Sequence, residues 1–169
     1  LPGVRRPQGR AQRELLNGYL ALIIDRDFEE AGREVRNPEA LRRWMMAYAA
    51  ATSTTASYET IRDAATSGEG EKPAKTTTIP YRDTLERIWI IDPVPAWTTG
   101  MNHLQRLVKS PKHHLADPAL AARLVGATRG TLLSGVDVVP AVPRDGTFLG
   151  ALFESLVTLC VRVYAQAAE

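Results

Sequence analysis

Residues 37–52 read NPEALRRWMMAYAAAT, and they contain the clearest helix signal in the chain. Asn37 is a preferred N-cap residue, Pro38 suits the first helical position, and Glu39 places an acid in the first turn. Large apolar side chains then recur at helical spacing on one face, namely Leu41, Trp44, Met45 and Tyr48. The alanines between and after them let a second helix approach closely. The sequence therefore predicts a buried helix with Trp44 in the core.

Five further helices are predicted from apolar periodicity and capping signals. Their starts are placed at Arg10, after the Ser57 cap, after the threonine run 76–78, at the Asp117-Pro118 cap and at about Phe148. Pro80 lacks a backbone N–H, so it fits only the first turn of the helix after the threonine run. Gly126 stands where a left-handed residue ends a helix. Residues 127–147 are predicted to be loop, because glycine and proline recur there.

An extended segment is predicted at residues 89–97, where two prolines confine it to a sheet edge. Residues 112–116 are a possible partner strand, and a polar, basic loop connects the two segments. Three helices followed by such a hairpin is the order of a winged helix, whose third helix enters the major groove of DNA. The sequence therefore predicts a mainly α fold with a small β-hairpin and a winged-helix-like helical domain.

The composition is that of a globular protein, with 44% hydrophobic and 24% charged residues in a chain of 169. This excludes a disordered tail, a collagen-like fibre and a coiled-coil rod. The single cysteine, Cys160, excludes an internal disulfide and suits a reducing, cytoplasmic location. Residues 1–10 lack the apolar core of a signal peptide, and the apolar stretch 149–168 carries Glu154 and Arg162. We therefore expect a core helix there and no membrane partner.

The basic residues are concentrated in one part of the chain. Residues 72–113 hold seven lysines and arginines against three acids, a local balance of +4 in a chain of net charge +2. Threonine hydroxyls at a helix start are suitable donors to phosphate. We therefore expect a surface for double-stranded DNA, formed by Lys72, Lys75, Thr76, Thr77, Thr78, Arg82, Arg106, Lys109 and Lys112. The alternative is a solvated helix face, because Arg82 and Arg87 have acidic neighbours that can neutralise them.

No residue pattern in the chain predicts catalysis. The chain contains no phosphate-binding loop of the G-x-x-x-x-G-K-[ST] type, so no nucleotide cofactor is expected in it. His113 and His114 are adjacent and point to opposite sides of a strand, and His103 is the only other histidine. Cys160 lies on an apolar helix face, where a thiol behaves as a small hydrophobic group. We therefore expect no metal and no catalytic residue.

The last predicted helix is apolar over most of its circumference. A helix of this kind belongs between two layers of protein, and two-fold dimers are the commonest closed assemblies. We therefore expect a homo-oligomer whose interface contains Leu149, Leu152, Phe153, Leu156, Val157, Val163 and Tyr164.

Several short motifs occur in an order that resembles one known family. They are Leu1-Pro2-Gly3-Val4, the Tyr19 to Phe28 helix, Leu107-Val108-Lys109-Ser110-Pro111-Lys112, Asp117-Pro118-Ala119-Leu120-Ala121 and Leu149-Gly150-Ala151-Leu152-Phe153-Glu154. Together they resemble the uncharacterised C-terminal domain that follows the ATPase module in prokaryotic AAA-type ATPases.

This resemblance implies a longer parent protein, in which an upstream ATPase domain binds ATP and Mg²⁺. It divides the chain into a linker helix from that domain at 1–36, a winged-helix-like module at 37–116 and the start of a nuclease-like region at 117–169. That last region is related to the PD-(D/E)xK nucleases, in which Glu154 matches the glutamate of the first core helix. The other metal ligands of that fold would follow residue 169, so Glu154 is expected to be a remnant without catalytic function.

The expected function is that of a non-catalytic DNA-binding or partner-docking region of such an ATPase. Two alternatives stay open, a protein-interaction and oligomerisation module without DNA binding, and an inactive nuclease remnant. The chain starts without Met and stops at Ala-Ala-Glu without a helix-ending signal, so a fragment is expected.

Overall fold

The computed structural model describes residues 9–66, 74–97, 109–134, 142 and 146–168. These ranges form a mainly helical protein, as predicted. The helices are α1 Arg10–Leu22, α2 Pro38–Ala50, α3 Tyr58–Ala64, α4 Lys75–Arg87, α5 Pro118–Leu124, α6 Arg129–Ser134 and α7 Phe148–Ala167. Helix α1 continues through a π-helical stretch, Ile23–Asp27, into one further α-helical turn, Phe28–Glu30.

Local capping sets the start of four of these helices. Each capping side chain accepts a hydrogen bond from a backbone N–H in the first turn, which would otherwise lack a partner. The pairs are Asn37 with Ala40 at 2.9 Å, Ser57 with Thr60 at 3.0 Å, Asp117 with Ala119 at 2.8 Å and Thr147 with Gly150 at 3.1 Å. Gly126 follows α5 at a φ of 72°, the left-handed conformation predicted for it.

Two helix boundaries differ from the prediction. Helix α4 begins at Lys75, before the threonine run, so Pro80 lies inside the helix rather than in its first turn. Thr78 stabilises this earlier start by donating its hydroxyl to the Lys75 carbonyl at 3.4 Å. The predicted loop at 127–147 contains α6, because Thr128 and Thr131 each accept the other's backbone N–H, at 2.9 and 3.2 Å.

Helix α2 lies at the centre of the hydrophobic core. It contacts the π-helical stretch of α1 as well as α3 and α5. Trp44 is 1% exposed, which confirms its predicted place in the core, and its ring stacks on Tyr48 with centroids 5.4 Å apart. Side chains from all three predicted segments, such as Leu20, Tyr48 and Leu120, belong to this one core.

The predicted β-hairpin is not seen within the described residues. Its two arms meet only at isolated antiparallel bridges, Ile91 with Leu115 and Val94 with Lys112. Pro93 and Pro95 have no N–H to donate, which limits the pairing around Val94 to one residue pair. The connecting residues 98–108 lie outside the described ranges. We call 89–97 and 112–116 the bridged segments; they do not confirm a winged helix.

Candidate functional site

Helix α7 packs on the rest of the protein through its polar side. Lys112 donates from Nζ to Glu154 Oε1 at 2.5 Å, and Arg162 forms an ion pair with Asp92. The Ser53 hydroxyl donates to the Ala151 carbonyl at 2.8 Å. The buried residues of the helix are Phe148, Leu152 and Ser155. The helix is therefore held by the burial of Phe148 and Leu152, by its contacts with α5 and α6, and by ion pairs and hydrogen bonds to the bridged segments and to Ser53.

A buried histidine–serine pair lies under α7. His114 Nδ1 is 3.1 Å from Ser155 Oγ, and Ser155 is only 1% exposed. Burial lowers the pKa of His114, while the nearby carboxylates of Glu154 and Asp92 oppose that shift. Among the described residues, His114 Nε2 has no hydrogen-bond partner. The pair is a packing contact that a substrate cannot reach, because Ser155 faces the protein interior.

The second histidine points the other way, as its place in an extended segment predicts. His113 Nε2 is 2.8 Å from the Ala56 carbonyl, and Nδ1 is 3.3 Å from the Tyr48 hydroxyl. Burial is the main cause that lowers the pKa of His113. The two imidazoles cannot share an ion, and no group of three metal-ligating side chains occurs in the described part of the chain.

The apolar side of α7 faces away from the protein. Phe153 is 66% exposed and Tyr164 is 73% exposed. The exposed apolar residues of the helix are Leu149, Phe153, Leu156, Val157, Val161, Val163 and Tyr164. At about 100° per residue they cover roughly 160° of the circumference, opposite Ser155. We call these seven residues the outer face of α7.

The expectation that this helix is a core helix is wrong for most of its surface. The helix buries only Phe148, Leu152 and Ser155 against the body, and its other large apolar side chains are exposed or half-buried. Of the residues predicted for an oligomer interface, Leu152 is buried against the body, and the other six lie on the outer face. Within the described ranges, α7 is also the one helix whose length and composition would suit a membrane span.

Three of the four predicted DNA-binding cations that the structure describes are paired with carboxylates. Arg82 pairs with Asp83 at 2.7 Å, and its guanidinium lies 4.9 Å from the Tyr58 ring centroid. Lys75 lies 3.6 Å from Glu59, while Lys112 is bound to the carboxylate on α7. Exposed pairs of this kind are weak, but they reduce the free positive charge that a phosphate would meet.

The other predicted DNA-binding residues differ in exposure. Thr76 is exposed and Thr77 is half-buried, whereas Thr78 is buried. Lys109 is exposed. Lys72 and Arg106 lie outside the described residues, so a common basic surface of the whole set stays a prediction.

A basic cleft lies beside the start of α4, and no sequence pattern predicted it. Its volume is about 420 Å³, and its lining includes Arg33, Arg36, Glu34, Thr76 and Thr77. The two arginines have no ion-pair partner among the described residues. They lie in the connector between α1 and α2, outside the basic stretch 72–113, so only the folded chain places them beside the threonines.

A second cleft, of about 620 Å³, lies where α7 begins. Hydroxyl groups dominate its lining, which includes Thr52, Thr55 and Thr147, and the Lys112–Glu154 pair forms part of its wall. Because Glu154 is bound to Lys112, it stands as one end of an ion pair rather than as a free carboxylate.

The comparisons with known proteins identify a family but no activity. No curated protein and no solved structure matches the chain. A family profile described as a domain of unknown function, DUF8612, matches residues 2–131, which contain α1 to α5 and end before α7. The description of this profile names neither an ATPase nor a nuclease. Because it covers more than half of the sequence, the chain belongs to the DUF8612 family of unknown function.

Proposed function

We propose that this chain is a non-catalytic interaction module that pairs with a second copy of itself through the outer face of α7. The observation that carries this proposal is the orientation of the helix. Its polar side is bound to the body through Glu154 and Arg162, and its apolar side is left in contact with solvent.

The size of the outer face supports a protein partner. Fully burying one large apolar side chain is worth about 1.5–3 kcal/mol relative to leaving it in water. The exposed fractions of the seven residues amount to roughly 700 Å² of surface, an upper limit on what one copy can bury here and just below the ~800 Å² that one partner contributes to a standard interface. The largest apolar patch on an ordinary monomer is about 300–600 Å².

A lipid bilayer is a less suitable occupant than a second copy. A membrane-spanning helix must be apolar on all sides, whereas the inner side of α7 is bound to Lys112, Asp92 and His114. Helices that lie on a membrane surface usually carry lysines and arginines on the polar side. The basic residue at this position, Arg162, is already paired with Asp92.

The resemblance to the C-terminal domain of prokaryotic AAA-type ATPases suggests a wider setting for the module. We propose that it belongs to a longer cytoplasmic protein, downstream of an ATPase domain, with a region derived from a winged helix at α2 to α4. In that setting self-association would bring two ATPase domains together. The ion pair between Glu154 and Lys112 agrees with a proposed structural function for Glu154 in place of metal binding.

DNA backbone contact is a second candidate function, and one observation favours it. Arg33 and Arg36 have no ion-pair partner in the part of the chain that the structure describes, and they line the same cleft as Thr76 and Thr77. Guanidinium and hydroxyl groups are the usual donors to phosphate oxygens. This candidate has less support than self-association, because Glu34 lies in the same cleft and Lys75, Arg82 and Lys112 are paired with carboxylates.

Size-exclusion chromatography with light scattering tests the proposed self-association. We expect a particle of twice the 18.6 kDa chain mass at micromolar concentration. Leu156→Asp places a charge in the outer face and should return the mass to that of one chain. Leu15→Asp changes a side chain that is similarly exposed on α1, so it should leave the dimer intact.

Two results would overturn the proposal. One is a monomeric mass at high concentration that Leu156→Asp does not change. The other is a monomer that co-sediments with phosphatidylcholine vesicles through α7, which would make the outer face a membrane surface.

A further inference from the structure

The outer face of α7 contains a regular seam. Counting along the helix, its central residues are separated by four, three, four, three and four positions, which is the a/d spacing of a coiled coil. Four of these seam residues belong to the outer face, and the half-buried Cys160 and the exposed Ala167 complete the spacing. In chain order the seam is Leu149, Phe153, Leu156, Cys160, Val163 and Ala167. Val157 and Tyr164 lie beside the seam on one side and widen it. No charged residue interrupts it.

The seam is short, but the body of the protein holds α7 in place. An isolated helix of this length is marginally stable in water, because nucleation is costly. The ion pairs of Glu154 and Arg162 and the buried Phe148 fix the helix before any partner binds. A second copy therefore meets a preformed surface and loses little conformational entropy on binding.

The sizes of the seam residues distinguish the two possible directions of pairing. In a parallel pair each residue meets itself, so a wide Phe153 layer would lie near a narrow Cys160 layer. In an antiparallel pair Phe153 meets Val163, Leu156 meets Cys160 and Leu149 meets Ala167. Every antiparallel layer then combines a larger with a smaller side chain, which allows the helices to interdigitate at constant separation. Opposed helix dipoles favour the same direction.

We infer that two copies pair their α7 helices antiparallel, with Leu156 of one copy opposite Cys160 of the other. This inference rests on the proposed function and adds the register of the interface to it. The two-fold axis then runs between the two helices at the level of Thr158, midway between Leu156 and Cys160. The bodies of the two copies lie on opposite sides of the helix pair, because each body occupies the inner side of its own helix.

Cysteine cross-linking tests this register. Two proteins with one cysteine each are needed, the natural chain with Cys160 and the double variant Leu156→Cys with Cys160→Ala. In the antiparallel register, each cysteine lies four residues, about 6 Å along the axis, from the equivalent cysteine of the other copy. Added to the separation of the helices, this exceeds the ~7 Å Cα distance that a disulfide can span. Cysteines at 156 and 160 of different copies lie in one layer and within reach.

The expected result is specific to the mixture. After subunit exchange and mild oxidation, non-reducing electrophoresis should show a cross-linked dimer only when both proteins are present. A size tag on one protein identifies that dimer as mixed. Cross-linked dimers of either protein alone would indicate parallel pairing and overturn the inference, as would a dimer that cross-links in no sample. Light scattering on the same samples separates these results from the absence of any dimer, which would overturn the proposed function itself.

Discussion

Lys112 and Glu154 are 42 positions apart in sequence, and their side chains meet at 2.5 Å. This contact joins the second bridged segment to α7, and the Arg162–Asp92 pair adds a second link on the side of the helix whose Phe148, Leu152 and Ser155 are buried against the body. The outer face is exposed as a direct consequence. The surface on which the proposed function depends is thus left exposed because Phe148, Leu152 and Ser155 are the side chains that the body buries, with the two ion pairs beside them.

Removing one of these ion pairs should have a small effect on stability. Both side chains of the Lys112–Glu154 pair are exposed to a large extent, so solvent screens their attraction. We expect Glu154→Gln to lower the free energy of unfolding by less than about 1 kcal/mol in urea denaturation. Glu14→Gln, which removes an exposed pair within α1, is the matched control. A loss of several kcal/mol would mean that the pair is buried and that α7 is held differently.

Trp44 should contribute far more to stability. Replacing it by alanine leaves a cavity in the core around Tyr48, and we expect a cost of about 3–5 kcal/mol. A domain of this size has a total stability of roughly 5–15 kcal/mol, so the variant should melt at a much lower temperature or fail to fold. Trp97→Ala removes an exposed ring and serves as the control. An unchanged melting temperature for Trp44→Ala would contradict the core described above.

Replacing Trp89 by glycine should make the protein more stable. Its φ is 60°, in the left-handed region, and its ring is 77% exposed, so the large side chain is strained without compensating burial. We expect Trp89→Gly to raise the free energy of unfolding by about 0.5–1 kcal/mol, because glycine adopts this φ without a steric penalty. Trp97 is equally exposed but has no positive φ, so Trp97→Gly should not stabilise the protein.

Stability should fall in mild acid. Burial lowers the pKa of His113 and of His114, so the folded protein holds both rings neutral while the unfolded chain takes up protons near pH 6.5. The contribution of the two neutral rings to the free energy of unfolding is therefore complete above that pH. It is lost as the pH falls toward the lower folded-state pKa values. Urea denaturation between pH 7.5 and 5 measures the slope. His114→Asn keeps a polar group near Ser155 without titrating, and it should flatten the slope; an identical slope would exclude His114 as a cause.

The second candidate function makes a separate prediction for duplex DNA. If phosphates bind beside α4, Arg33→Ala and Arg36→Ala should each weaken binding. Each should also reduce the slope of log affinity against log salt concentration by about one. Lys112→Ala should change neither quantity, because Lys112 is bound to Glu154. Fluorescence anisotropy with a short duplex at several salt concentrations provides both values. Equal effects of all three substitutions would contradict a site in this cleft.

The helix starts were predictable because capping is local. Asn37, Ser57 and Asp117 each bond to a backbone N–H two or three residues away, so the signal and its partner lie in the same short stretch. The start of α6 was missed although it is also local. There two threonine hydroxyls form the cap, and Gly130 and the prolines farther along suggested a loop instead.

The candidate surfaces were only partly predictable. The periodicity of α7 located its apolar residues, and six of the seven predicted interface residues are on the outer face. The basic stretch 72–113 predicted a collective surface, which stays a prediction because Lys72 and Arg106 lie outside the described residues. Arg33 and Arg36 lie some 40 positions before Thr76, and no local pattern relates them to it.

By itself, the sequence determined the helical class, the capped helix starts and the buried position of Trp44, since each follows from neighbouring residues or from the hydrophobicity of one face. Only the tertiary structure decided which side of α7 became an outer face. That choice depends on Asp92 and Lys112, which lie 70 and 42 positions from their partners on the helix. An amphipathic pattern records that a helix has two sides, but the side that meets the body is set by groups that folding brings together from distant parts of the chain.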